Sequence, residues 1–288
     1  MRFTFPPKRK ERSRMIKIGF VDYYIDEWHA HNLATRCKEL SESIGIDTEI
    51  VGVFAVVEKP SEDKLSTAQW CEKYGIPHYE DLSALANECD AFVIFAPDDP
   101  EIHPALCRRV FPFGKPTFVD KTFAITVRAA KSMLDLAEKN GVKMYTTSSL
   151  RYAEEVRAKI GANEVTVKGN YVHMKDYLVH TGEMVVTILG TGISGMVAHV
   201  SGEVYEFDVT YRDGKTAKVK MTPEYGFEVN GKSVESDFFG GQIKDILRFF
   251  DGADSPVTNE DILDVARFVE GGLLAIESPE TKIDLSAL

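Results

Sequence analysis

Apolar positions follow two rhythms along the chain. Through the first half, continuous apolar runs at IKIGFV, TEIVGVFAVV, DAFVIFAP, PTFVDK and VKMYTTS alternate with stretches at helical spacing, such as HNLATRCKELSES and VRAAKSMLDLAEKN. Strands alternating with helices of this length imply βαβ units, hence a doubly wound parallel sheet covered on both faces. Helix stops are legible too: Tyr74-Gly75 and Asn140-Gly141 place glycine where a left-handed C-cap residue belongs. After about residue 148 the rhythm changes. EVTVKGNYVHMK reads as a strand, and a short helix is expected from about Leu178 to Leu189. YEFDVTYRDGKTAKVKMT and YGFEVNGKSVES then turn at Asp213-Gly214 and Asn230-Gly231, both type I′ dipeptides. This half is expected to be α+β with a mainly antiparallel sheet. GQIKDILRFF and TNEDILDVARFVEGGLLAIES close the chain as helices, the second with Thr258 and Asp261 as a capping box.

Composition narrows the function classes. At 288 residues and 44% hydrophobic the chain can bury more than one core, since single cores rarely grow past roughly 250 residues. A net charge of −11 excludes a nucleic-acid surface, which needs clustered Lys and Arg to release phosphate counterions. Small molecules and other copies of the chain are the expected partners. The one basic cluster, KRKERSR at residues 8–14, lies just before Met15 and is expected to be a disordered tail or to precede the true start. Cys37, Cys71, Cys89 and Cys107 form no CxxC pair and read as free thiols in a reducing cytosol. The longest uncharged run, MVVTILGTGISGMVAHV, is too short and glycine-broken for a membrane span, so a cytoplasmic protein is expected. No His, Cys and Asp cluster has metal-ligand spacing.

Chemistry concentrates in residues 91–122, AFVIFAPDDPEIHPALCRRVFPFGKPTFVDKT. A buried strand ends at Ala96-Pro97, His103 opens a helix, Gly114-Lys115 turns, and a second strand ends at Asp120-Lys121. Polar groups thereby gather along the carboxyl edge of the sheet, where open α/β sheets bind ligands. This segment resembles the glucose-fructose oxidoreductase and inositol dehydrogenase family (Gfo/Idh/MocA), in which a strand ending TP and a following His lead to a GK turn and the sequence EKP. KSMLDLAEKNGVKMYTTSSLRYAEEV and NEDILDVARFVEGGLLAIES extend the likeness, which covers residues 15–288.

The resemblance implies a Rossmann-like dinucleotide-binding domain over 15–147, after a basic tail at 1–14, and a substrate and dimerisation domain over 148–288. It implies NAD or NADP as cofactor, a sugar, inositol or related polyol as substrate, and a homo-oligomer. Lys121 takes the position of the lysine that binds substrate near the nicotinamide, and Pro97 and His103 that of the cofactor crevice. Arg151 takes the arginine position at the entry to the second domain, where it binds substrate or closes the domains. For His103 a capping or packing role is an equal reading of the residues, and His29 and His31 read as structural. The family has proline where this chain has Thr122, and a cis Lys-Thr peptide costs about 3 kcal/mol, so the backbone at Lys121 is expected to differ.

The family's second signature, an Asp four residues before a His on a helix ending Leu-Gly, is met by DYLVHTGEMVVTILG, with Asp176 and His180. Positions i and i+4 share a helix face, so Asp176 can orient the imidazole and favour its charged form; by spacing alone a surface pair is the favoured reading, and the resemblance turns it toward a site. Glu183, one turn on, either joins this acidic cluster at the substrate or is a solvated or interdomain charge.

Where the family has GxGxxG after the first strand, this chain reads Asp22-Tyr23-Tyr24-Ile25-Asp26-Glu27. The glycines that let backbone approach a pyrophosphate are gone, and acids stand in their place. The second strand ends in Ala55, where a ribose-binding acid is usual, with Glu58 the nearest carboxylate. Tyr23, Tyr24 and Trp28 are left to stack on adenine or sugar. Two readings follow: a nicotinamide-dependent oxidoreductase with an altered turn, its catalytic groups Lys121, His180 and Asp176, or a non-catalytic small-molecule-binding protein that has lost the dinucleotide.

Overall fold

The computed structural model describes residues 14–96 and 98–288, so Pro97 and all of the basic tail but Arg14 lie outside the described residues. The first sheet is wholly parallel, in the order β2-β1-β3-β4-β5, from β1 (Ile16–Asp22), β2 (Thr48–Ala55), β3 (Ala91–Ile94), β4 (Thr117–Val119) and β5 (Met144–Tyr145). Its helices are α1 (Trp28–Ile44), α2 (Thr67–Tyr74), α3 (Leu82–Glu88), α4 (His103–Val110) and α5 (Val127–Lys139). Central strands are apolar on both faces, as burial between two helical layers demands: Ile18, Phe20, Val21, Phe92, Val93 and Ile94 are all fully buried. Gly75 caps α2 at φ 66°, a left-handed conformation that a side chain would resist.

A short segment, α6 (Glu154–Arg157), leads into the second sheet. That sheet comprises β6 (Glu164–Asn170), β7 (Ile193–Ser201), β8 (Val204–Tyr211), β9 (Thr216–Thr222), β10 (Glu228–Val229), β11 (Lys232–Ser233) and β12 (Ile283–Asp284). The order is β11-β10-β6-β9-β8-β7-β12, antiparallel except for β6 against β9. One face is covered by α7 (Met174–Leu189) and α9 (Asn259–Glu277), whose capping box at Thr258 and Asp261 is formed. The other face carries cross-strand ion pairs, Lys168 with Glu228 and Lys220 with Glu206, each at 3.3 Å. Two differences from the sequence expectation stand out. β7 was hidden inside the apolar run after Met184, and α7 begins at Met174 instead of Leu178, which puts Asp176 in its first turn.

The first sheet's core is completed from the far end of the chain. From α8 (Phe238–Phe250), Phe239, Ile243, Ile246, Leu247 and Phe249 join the cluster of β1, α1 and β5, with Phe249 edge-on to Tyr145 at 4.9 Å between centroids. Trp28 and Phe239 meet in the same way at 4.8 Å, so α1 and α8 form one side of a cleft whose other side is α7.

Candidate functional site

The first sheet reverses direction of growth between β1 and β3, and the crevice at their carboxyl ends opens into a cleft of about 620 Å³ between the two sheets. Glu27, Trp28 and His29 line it from α1, Lys121 from the end of β4, and Tyr177 and His180 from α7. Lys121 and His180, 121 and 180 in a chain of two sheets, are thus brought to one cavity.

His180 is nine-tenths buried, and its Nδ1 lies 2.7 Å from the Ser148 hydroxyl. With Nδ1–H donating to that oxygen, the Nε2 lone pair is left to accept a proton. Burial first, then the Lys121 and His29 charges, push the imidazole well below its ordinary pKa, so it is neutral at pH 7. Both parts of the expected Asp176–His180 partnership are therefore corrected. Asp176 makes no hydrogen bond to His180, and the ring is held uncharged. Asp176 is buried, its Oδ1 finds no hydrogen-bond partner, and its backbone carbonyl accepts from Thr122 Oγ1 at 3.2 Å. Burial raises its carboxyl pKa against the pull of Lys175 and Lys121.

Arg151 and Glu183 do not line the cleft. Arg151 Nη1 donates to Glu183 Oε1 at 2.9 Å, and the other Glu183 oxygen accepts from the Ser148 backbone N–H at 3.1 Å. Burial raises the Glu183 carboxyl pKa, and Arg151 opposes the rise. The pair is better described as a brace behind Ser148, and through Ser148 behind His180. His103 is likewise removed from any ligand: it is fully buried, with Nε2 2.7 Å from the Phe95 carbonyl and Nδ1 2.9 Å from that of Thr122. It ties the end of β3 to the segment after β4. The Lys121–Thr122 peptide is cis. Tyr23 and Tyr24 stack edge-on at 6.3 Å and do not line the cleft, whereas Trp28 does, 58% exposed. Burial and Asp98 push the Tyr24 hydroxyl up to about 12.

The turn that replaces the glycines is built from its own acids. Asp26 accepts from Leu65 N–H at 2.7 Å and pairs with His31 Nε2 at 2.7 Å, so His31 is structural as expected. Glu27 is the N-cap of α1; its carboxylate accepts from the His29 N–H at 2.5 Å and from the Ala30 N–H. Asp22 accepts from the Tyr23 N–H at 2.6 Å, and its second oxygen is buried without a partner. Burial and Glu27 raise Asp22 well above the usual carboxylate range, and burial raises Glu27 to about 7 although His29 pulls it down. Asp120 alone is lowered: burial favours its neutral form, and His29, whose Nδ1 lies 2.8 Å away, together with Lys121, outweighs it. His29 is satisfied by this pairing, as its place in the sequence suggested. It lines the cleft and binds Asp120, 91 positions on.

A dinucleotide would set its diphosphate on the free N–H groups at the start of α1. Glu27 occupies two of them, and Asp22 and Asp120 stand behind it, so the turn as built does not fit a diphosphate. Among the described residues no group of His, Cys, Asp and Glu could hold a metal ion, and no helix is long and apolar enough to cross a membrane.

Residues 16–148 match the sequence model of the oxidoreductase family with NAD-binding Rossmann fold, Gfo/Idh/MocA. A protein of Salmonella typhimurium (strain LT2) named as a presumed oxidoreductase, YceM, is 29% identical over 105 residues, or 35% of this chain. The match spans about a third of that relative, 33% of its length. Among solved structures, myo-inositol dehydrogenase from Lactobacillus casei, in complex with NAD(H) and myo-inositol, superposes with a TM-score of 0.74 at 14% identity, covering 94% of this chain and 97% of that one. Aldose-aldose oxidoreductase from Caulobacter crescentus, complexed with glycerol, gives 0.73 at 15%, covering 94% and 100%. At these identities the likeness is one of fold, and it spans both sheets. The part of the chain that matches the family model, residues 16–148, carries the parallel sheet and Lys121.

Proposed function

We propose that the protein is an oxidoreductase acting on a sugar, inositol or related polyol held in the cleft between the two sheets, with NAD or NADP as redox partner. The observation that carries this reading is the meeting of Lys121 and a neutral His180 in one cavity. Oxidising an alcohol requires the hydroxyl proton to leave, and a base within hydrogen-bond reach must take it. Nε2 of His180 accepts that proton, while the Ser148 hydroxyl fixes the ring through Nδ1. Lys121 donates to the same oxygen and stabilises its alkoxide character. Trp28, Tyr177, Phe227 and Phe239 offer ring faces and edges to the carbon skeleton of a polyol. The two small-molecule complexes named above, with myo-inositol and with glycerol, support the substrate class.

The test is a panel of polyols and aldoses, assayed with NAD and with NADP, for wild type and His180→Ala. Turnover of at least one substrate is expected, reduced about a hundredfold in the variant. Activity that survives His180→Ala unchanged would remove His180 as the base. A second reading, a binding protein on the same scaffold that has lost the dinucleotide, is favoured by the seat of Glu27 on α1. It predicts polyol binding by calorimetry with no turnover under any cofactor. We infer further that the chain associates with itself through the open face of the second sheet. Because that face is laced with ion pairs, light scattering should show a dimer at low salt that weakens at high salt; monomer at all salt concentrations would remove the claim.

A further inference from the structure

A binding site needs polar groups that the fold itself leaves unsatisfied. Several polar side chains lining the cleft are already bonded: Glu27 to the start of α1, His29 to Asp120, Arg36 to Asp237, and the Nδ1 of His180 to Ser148. Among the described lining residues, Asn170 alone keeps a buried side-chain polar atom without a hydrogen-bond partner, its Oδ1. The residue ends β6, is 5% exposed, and lines the cavity beside Tyr177, His180 and Phe227. An unpaired carbonyl oxygen taken out of water costs free energy that an apolar side chain of similar size would not. The strand does not need that oxygen. Backbone alone registers β6 on β9, with Asn170 opposite Thr222 and the Tyr171 N–H donating to the Thr222 carbonyl at 3.0 Å.

The chemistry of the amide narrows the ligand. A carboxamide is neutral and offers both an acceptor and a donor, as a hydroxyl does. A carboxylate at neutral pH has no proton to give Oδ1 and would leave it unpaired, whereas a hydroxyl donates to it. Resting on the reading of the cleft as a polyol site, we propose that Asn170 is a specificity-determining residue whose Oδ1 accepts a hydrogen bond from a second substrate hydroxyl, one that is not oxidised. His180 and Lys121 take the reacting hydroxyl, Asn170 takes the other, and an analogue lacking that other hydroxyl leaves the amide unpaired again. The residue thereby selects polyols over simple alcohols without taking part in the chemistry.

The experiment is calorimetric titration of the full chain without cofactor, as wild type, Asn170→Leu and Asn170→Ala, with myo-inositol, D-glucose and the monodeoxy analogues of each. Leucine is close to asparagine in size and cannot accept a hydrogen bond. In wild type, removing one particular hydroxyl from the ligand should weaken binding about tenfold, and Asn170→Leu should weaken the parent ligand by the same factor. In Asn170→Leu the corresponding deoxy analogue should bind as tightly as the parent, because the missing hydroxyl has no partner left to lose. A residue with a purely structural role would weaken parent and analogues alike. That result overturns the proposal, as does a variant that binds the parent as tightly as wild type, and either leaves the polyol reading standing. Wild type that binds neither myo-inositol nor D-glucose overturns the polyol reading and the proposal together. Where Asn170→Leu does not fold by circular dichroism, Asn170→Ala decides by the same outcomes.

Discussion

On the α1 side of the cleft, Glu27 and Asp120 flank a single imidazole, His29, with Asp22 behind them, and Glu27 takes up two helix N–H groups that an outside anion would need. On the α7 side, His180 has one nitrogen fixed by Ser148 and faces Lys121, with aromatic rings beside them and no carboxylate hydrogen-bonded to the ring. The first wall is satisfied from within and has little left for a phosphate. The second brings the His180 imidazole and Lys121 into one cavity. The two walls of a single cavity therefore differ in what they offer: one closes its polar groups on one another, and the other gathers His180, Lys121 and aromatic rings.

The sharpest way to break this contrast is to disarm the α7 wall. Lys121→Ala should lower turnover about a hundredfold with the fold intact, matching the His180 variant; a loss of less than threefold would show that the wall does no chemistry. Ser148→Ala should cost about tenfold in kcat with little change in KM, because it frees the ring to rotate without touching substrate. Asp176→Asn, by contrast, should cost less than about threefold, since no hydrogen bond joins it to His180. Kinetics showing Asp176 to matter more than Ser148 would restore the carboxylate–imidazole pairing that the residue spacing suggested.

Two pH measurements sharpen the contrast from opposite sides. A base whose pKa is depressed stays unprotonated further into acid, so the acidic limb of kcat/KM should lie well on the acid side of the 6.5 of an ordinary imidazole. Glu27 works in the other direction. Its folded pKa, about 7, exceeds the ordinary 4.5, so the folded state binds the proton more tightly than the unfolded one, and the stability this brings is present at low pH and lost as pH rises from about 4.5 through 7. Melting temperature should thus fall more steeply between pH 5 and pH 8 in wild type than in Glu27→Gln. Equal slopes would mean that Glu27 is not held in its protonated form by burial.

What could be read from the sequence follows from the range over which each signal acts. The buried strands were legible because runs such as AFVI are apolar at every position, and the capping box at Thr258 because its two members lie three residues apart. Lys121 and His180 were legible only through a family pattern, since nothing local marks them. Ser148 and His180 are 32 positions apart, and His29 and Asp120 91, so their pairings exist only once β4, α1 and α7 have converged. β7 was lost because one uncharged run contains the end of α7, two positive-φ glycines at 190 and 192, and the start of the strand, and hydropathy does not change across that boundary. Glu27 was seen as an obstacle to phosphate, yet its seat depended on where α1 begins. Glutamate is not a favoured N-cap residue, so composition gave no reason to place the helix start directly after it.

The return of α8 to the first sheet has a consequence for how the protein is made. Phe239, Ile243 and Phe249 belong to the same apolar cluster as β1, α1 and β5, yet they leave the ribosome well after every strand of that sheet. Between Tyr145, which ends β5, and Phe238, which opens α8, the whole of α7 and most of the second sheet must be synthesised, a delay of about 5–20 s at roughly 5–20 residues per second. Throughout that interval the nascent first sheet presents an uncovered apolar face beside α1. The half that emerges first therefore completes its core only after α8, and the α9 residues Ile262 and Ala266 of the same cluster, have been made.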